Sequence, residues 1–222
     1  MKRHVPNVLT LSRLVMAVAI FALLAFYQAD STGRPAAPSG QALLDAALAV
    51  FLLAMATDVL DGYLARRFNS PTTFGRISDP FVDKVLICGA FAYFAGANFT
   101  GRDAAGHAAS TTGVATWMAV LIFTREIFVT GVRGFSESRG EPFTTTVFGK
   151  AKMFLQSLTV VWILVSLGRG REWGPWLFAA RDALVWLTVI FTVASALVYF
   201  DRVRRLMGLP PTDAGGGRRA TP

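Results

Sequence analysis

Residues 58–83 read DVLDGYLARRFNSPTTFGRISDPFVD, with aspartates at Asp58, Asp61, Asp79 and Asp83. An apolar run, residues 46–57, precedes this stretch, and another, residues 85–99, follows it. Carboxylates at a membrane edge are costly unless they are paired, solvated or metal-bound. Four of them between two apolar segments therefore mark a site. The stretch also decides the fold class, because it requires a bundle of membrane helices that shelters a polar cavity.

The composition of the whole chain points the same way. Of its 222 residues 53% are hydrophobic and 16% charged, and the mean hydropathy is +0.47. Ordinary soluble domains carry roughly 25% charged residues, so the composition implies an all-α, multi-pass integral membrane protein. The single cysteine, Cys88, excludes a disulfide framework and a cysteine-only metal site. Two histidines, His4 and His107, argue against a His-rich zinc or copper centre. The net charge of +8 is read as basic residues flanking membrane segments and facing anionic lipid, not as a nucleic-acid surface.

Six apolar segments emerge, at residues 8–27, 41–66, 79–99, 112–132, 152–167 and 183–200. Residues 1–27 resemble a signal peptide superficially. Arg13 interrupts the apolar part and no clear small-residue cleavage site follows, so the stretch is read as a retained first span. Several segments have uncharged parts shorter than the ~20 residues a lone span needs. The charges fall at one end of each, at Arg13, 58–67, 79–84, 125–133 and 150–152. Alternating helices bring these ends to one side, where they can share a wet cavity. Lys/Arg bias places that side, with both termini, in the cytosol of the cell (inner) membrane. Arg34, Arg102, Arg169, Arg171 and Arg181 are left in outer loops. Residues 30–40 and 101–110 read as simple turns, with His107 solvent-exposed. The expected organisation is one six-helix catalytic domain, residues 1–207, and a disordered cytosolic tail, residues 208–222.

Within the aspartate stretch, Asp58, Asp61 and Ala65 are spaced to share one helix face. Gly62 and Ala65 lack bulk, so a ligand could approach the backbone. Residues 69–73 read as a turn, and Pro80 suits the first turn of the following helix. Asp79 and Asp83, at i and i+4, share a face of that helix. Four converging carboxylates cannot all stay ionised unpaired. Either Arg66, Arg67 and Arg76 neutralise them, or a hard divalent cation does. Mg²⁺ is the first expectation, with two ions able to clamp a phosphoryl transfer and Mn²⁺ an alternative.

The pattern Asp58-x-x-Asp61-Gly62-x-x-Ala65-Arg66, eight residues, Gly75-x-x-x-Asp79-x-x-x-Asp83 resembles the signature of the CDP-alcohol phosphatidyltransferases at each fixed position and spacing. The resemblance extends to about residue 207 and implies a six-helix membrane fold around a cytosol-facing cavity. It implies transfer of a phosphatidyl group from a CDP-linked lipid to an alcohol, with release of CMP. It also implies that Asp58, Asp61 and Asp79 hold one Mg²⁺. Asp83 would join for a second ion and act as the base that deprotonates the acceptor. Gly62, Ala65, Arg66, Thr72 and Gly75 match CDP-binding positions, as do Asn7, Val8, Leu9 and Thr10 (NVLT). A homodimer is implied by the resemblance alone. No Ser, Cys or His stands out as a covalent nucleophile, so direct in-line attack is expected.

The second half addresses the acceptor. The segment Arg125-Glu126-Ile127-x-Val129-x-Gly131-x-Arg133 and the segment Gly149-Lys150-x-Lys152-x-x-x-Gln156 resemble the phosphatidylglycerophosphate synthase branch. That branch combines CDP-diacylglycerol with sn-glycerol 3-phosphate. Arg125, Arg133, Lys150 and Lys152 supply donors that suit an acceptor with its own phosphate. Residues 135–137 (FSE) depart from the endings of that branch. Arg125 and Glu126 read equally as a buried ion pair, and Lys150 and Lys152 as flanking charge. Inositol phosphate, serine or phosphatidylglycerol remain alternative acceptors. More distant readings are an intramembrane prenyltransferase, which also holds a metal diphosphate on aspartates, and a cation transporter.

Overall fold

The computed structural model describes residues 5–30, 35–68, 73–102, 105–138 and 147–206. Among them are six long helices: α1 (Val5–Phe26), α2 (Ser39–Phe68), α3 (Thr73–Phe94), α4 (Thr116–Ser138), α5 (Val147–Trp173) and α6 (Trp176–Leu206). α1 packs along α2 and α3, α5 pairs with α6, and α4 lies against α6 and α3. α2 also meets α5, which closes the bundle.

The bundle is inverted relative to a soluble protein. Leu53, Val120, Phe154, Ile190 and Leu197 are exposed on its outer surface, whereas Arg13, Arg125, Glu126, Lys152 and Gln156 are buried inside. Such an arrangement is stable only where the surroundings are apolar, since water would leave the outer side chains unburied. Among the described residues, three helices contain stretches long and apolar enough to cross a membrane, Ser39–Leu60, Ala151–Gly170 and Trp176–Phe200, and α1 contains the shorter apolar stretch Leu11–Phe26. The inner faces are also shaped for close approach. The ring of Phe21 on α1 occupies the space a side chain at Gly89 on α3 would need.

One end of the bundle is sealed by a small device that the sequence reading misses. Residues 101–110, expected as a plain turn, include an antiparallel hairpin of β1 (Thr100–Arg102) and β2 (Ala108–Ser110), with Gly101 opposite Ala109. Strands of three residues are too short to announce themselves by alternation. Tyr27 stacks on Phe99 at 4.8 Å, and Phe94 meets Phe99 edge-on at 5.6 Å. The Thr112 hydroxyl donates to the Phe94 carbonyl at 2.8 Å, satisfying the end of α3. His107 is exposed, as expected.

Several boundaries differ from expectation. α3 begins at Thr73, so Thr73 is not in a turn and Pro80 lies inside a helix rather than in its first turn. A proline there removes one internal hydrogen bond, and flanking helical residues on both sides carry the helix past it. Arg169 and Arg171 belong to α5 and Arg181 to α6, not to loops. Two of them find partners that let the helices continue. Arg169 pairs with Asp45 of α2 at 3.2 Å. Arg181 pairs with Asp182 at 2.7 Å and donates to the Thr111 carbonyl. Residues 207–222, most of them the expected tail, lie outside the described residues.

Candidate active site

At the end of the bundle away from the hairpin, α1, α2 and α3 meet on one guanidinium. Arg13 is the only charged residue of α1 and is 1% exposed. Its Nη1 donates to Oδ1 of Asp58 on α2 at 2.6 Å and to Oδ1 of Asp83 on α3 at 2.8 Å. A buried cation persists only if it is paired, and here two helices each supply a carboxylate. The sequence reading took Arg13 merely as a polar helix end. A lone charge within an otherwise apolar helix, with unpaired aspartates elsewhere, was the signal available.

The structure thus brings Asp58 and Asp83 together. α2 continues as helix through Asp61, Gly62, Ala65 and Arg66, and α3 carries Gly75 and Asp79 on its first two turns. The side chains of these six residues are outside the described set, as are those of Asn7, Val8, Leu9 and Thr10 on α1 and Lys150 on α5. Thr72 lies outside the described residues altogether. Among the described residues no group of three His, Cys, Asp or Glu side chains could hold a metal. The donor set nonetheless fits a hard cation. Two carboxylates from different helices already share one positive group, and oxygen-only ligation is what Mg²⁺ requires.

Beside this junction opens a cavity of about 280 Å³. It suits a small polar molecule better than a lipid, given the roughly 300–1,000 Å³ of drug-sized sites. Asp83, Lys84, Arg125, Glu126, Arg133 and Lys152 line it, together with Gln156 and Tyr199. Four cations therefore face two carboxylates. Three of the four acceptor-site candidates, Arg125, Arg133 and Lys152, come together here.

Helical spacing explains the convergence. Glu126, Thr130 and Arg133 follow one face of α4, and Lys152 and Gln156 are one turn apart on α5. Glu126 anchors the cluster. It accepts from Arg125 Nη1 at 3.2 Å and is ion-paired with Lys152. The Lys84 ammonium donates to the Thr130 hydroxyl, which donates in turn to the Glu126 carbonyl at 2.6 Å. Arg125 Nε donates to Ser195 Oγ of α6 at 3.0 Å, and its guanidinium lies 5.3 Å from the centre of the Tyr199 ring. The ion-pair reading of Arg125 and Glu126 is what the contacts show. They form a buried ion pair, and that pair lines the cavity.

Behind Arg125 runs a hydroxyl ladder. Ser195 donates to the Thr192 carbonyl at 2.9 Å, Thr192 to the Thr188 carbonyl at 2.7 Å, and the Thr188 and Thr159 hydroxyls are 2.8 Å apart. Lys84, Ser195 and Tyr199 carry no motif, so the sequence offered no route to them. Gln156 is different again. It is 2% exposed, and its Nε2 has no hydrogen-bond partner among the described residues. A buried amide left unpaired costs about 1–3 kcal/mol.

Comparison with known proteins identifies the family of the chain. A family model described as CDP-alcohol phosphatidyltransferase matches residues 3–194. The chain is 28% identical over 203 residues to a CDP-diacylglycerol–glycerol-3-phosphate 3-phosphatidyltransferase of Bacillus subtilis, covering 90% of this chain and 94% of that protein. It is 30% identical to proteins of the same name from Rickettsia felis, over 91% of this chain and 97% of that one, and from Escherichia coli, over 92% and 97%.

Proposed function

This chain belongs to the CDP-alcohol phosphatidyltransferase family, and we propose that it transfers the phosphatidyl group of CDP-diacylglycerol to sn-glycerol 3-phosphate, forming phosphatidylglycerophosphate and CMP. One observation carries the choice of acceptor. Asp83 accepts from Arg13 at the aspartate junction and also lines a small cavity with Lys84, Arg125, Arg133 and Lys152. An acceptor that carries its own phosphate has charge-assisted donors there. Its phosphate among the cations leaves a hydroxyl directed toward Asp83.

The hydroxyl oxygen attacks the β-phosphorus of CDP-diacylglycerol as its proton passes to the Asp83 carboxylate. The bond from that phosphorus to the bridging diphosphate oxygen breaks, and CMP departs with the electron pair. Asp58, Asp61, Asp79 and Asp83 would hold Mg²⁺, one ion or two, with Mn²⁺ the other suitable cation. When bound, the metal stabilises charge on the transferring phosphoryl oxygens. Gly62, Ala65, Arg66, Thr72 and Gly75 form the nucleotide side of the site, with Asn7, Val8, Leu9 and Thr10 at the start of α1. Residues 1–207 act as one domain, multi-pass in the cell membrane, with six spans and the cavity and both termini toward the cytosol. The protein works as a homodimer.

The test is CMP release by purified protein given CDP-diacylglycerol and each acceptor in turn. Glycerol 3-phosphate should support release well above serine, phosphatidylglycerol or inositol phosphate. Release with inositol phosphate alone overturns the acceptor assignment. Trapping a phosphatidyl-enzyme intermediate overturns direct attack.

A further inference from the structure

Arg13 sits where a divalent cation would be expected to act. Its Nη1 lies within 2.8 Å of carboxylate oxygens from both Asp58 and Asp83. Arg13 is almost wholly buried, and so is held by these contacts rather than by solvent. A guanidinium stays protonated at any accessible pH. Its charge therefore leaves the carboxylates only if the group itself is displaced. A divalent ion taken up by the same two carboxylates would stand a few ångströms from this charge, and the two cations would repel each other.

We propose that Arg13 is a resident cation that competes with the divalent metal for Asp58 and Asp83. It offsets part of the charge of the two carboxylates and keeps the site assembled, and it sets how much metal is needed to load it. This rests on the reading of Asp58 and Asp83 as metal ligands given above. Arg13 acts here as a positioning residue, holding α2 and α3 at the spacing the metal later adopts. Metal entry requires Nη1 to release Asp58, Asp83 or both.

Mn²⁺ binding without nucleotide or acceptor tests this, followed by electron paramagnetic resonance on purified protein. Two neutral variants, Arg13→Gln and Arg13→Met, should bind Mn²⁺ about tenfold or more tightly than the wild type, because a repelling charge is gone. Arg13→Lys retains the charge and should stay near the wild-type affinity. Thermal unfolding gives a second readout. Neutral variants should be less stable than wild type without metal and should gain more on adding Mn²⁺, by linkage. If they fold only when purified with Mn²⁺ while the wild type folds without it, the inference also stands. Equal or weaker Mn²⁺ binding by folded neutral variants overturns it. So does failure of these variants to fold even with Mn²⁺, which would make Arg13 a purely structural ion pair. If the wild type binds no Mn²⁺ at all, the metal-ligand reading fails first, and the two failures are thereby distinguished.

Discussion

Two adjoining regions solve the problem of buried charge in opposite ways. At the junction of α1, α2 and α3, one cation serves two carboxylates, with Arg13 between Asp58 and Asp83. In the neighbouring cavity the ratio is reversed, with Glu126 serving both Arg125 and Lys152. The first region has an excess of negative charge to offer a metal, and the second an excess of positive charge to offer an anion. Asp83 touches both. The contrast divides the labour of a phosphatidyl transfer. On the function proposed above, donor diphosphate and metal would belong to the carboxylate side and the phosphorylated acceptor to the basic side, with the proton moving where they meet.

The strongest test of this division is Asp83 itself. Asp83→Asn should lower kcat by at least 10²–10⁴-fold, the usual contribution of a general base, with CMP release measured at saturating glycerol 3-phosphate. The acceptor KM should move far less, since the basic set is intact. Full activity would remove Asp83 as the base and detach the two regions from each other.

How much of this was legible in the sequence differs between the regions for a physical reason. The carboxylate side is local in the chain. Asp58, Asp61, Asp79 and Asp83 lie on two consecutive helices, so fixed helical spacing writes the site into one stretch. What that stretch omits is Arg13, 45 residues before Asp58. Its role depends on how α1 packs, which spacing does not encode. The basic side is assembled from α3, α4, α5 and α6. Arg125, Glu126, Arg133, Lys152 and Gln156 were visible through two short motifs. Lys84, Ser195 and Tyr199 became visible only through tertiary contacts. The six helices followed from apolar runs, but their ends did not. Helices α5 and α6 run on past the point where charge begins, because Arg169 and Arg181 find partners there.

Glu126→Gln should break the basic region while sparing the other. It leaves Arg125 and Lys152 without their shared counter-charge. Removing one partner of a buried ion pair costs about 3–5 kcal/mol, read as a drop in thermal unfolding midpoint. Glycerol 3-phosphate should stabilise this variant more than it stabilises the wild type, because the ligand phosphate supplies the lost negative charge. Equal stabilisation of both proteins would mean that the acceptor phosphate does not sit on Arg125 and Lys152.

A gentler perturbation reaches the same cations from behind. Ser195→Ala removes the acceptor for Arg125 Nε and should cost about 1 kcal/mol of stability. It should raise the acceptor KM several-fold with kcat nearly unchanged, as expected when only the positioning of a binding group is loosened. Arg125 keeps its contacts with Glu126 and Tyr199, which is why the effect is smaller than that of Glu126→Gln. An equal loss in kcat would instead place Arg125 in the transition state.

The smallest stability effect, and one of opposite sign, is expected at Gln156. Its buried Nε2 has no partner among the described residues, although the side chain lines the cavity. Replacing an unsatisfied buried amide by an apolar group of similar size is close to neutral or stabilising. Gln156→Leu should therefore hold or raise the thermal midpoint. A hydroxyl of a bound acceptor is a group that could complete this amide. The same variant should raise the acceptor KM, with inorganic phosphate binding less affected, if the amide meets a hydroxyl of the acceptor rather than its phosphate. A loss of stability with unchanged KM would show that Gln156 serves the packing of α5 and not the acceptor, leaving the basic region to recognise phosphate alone.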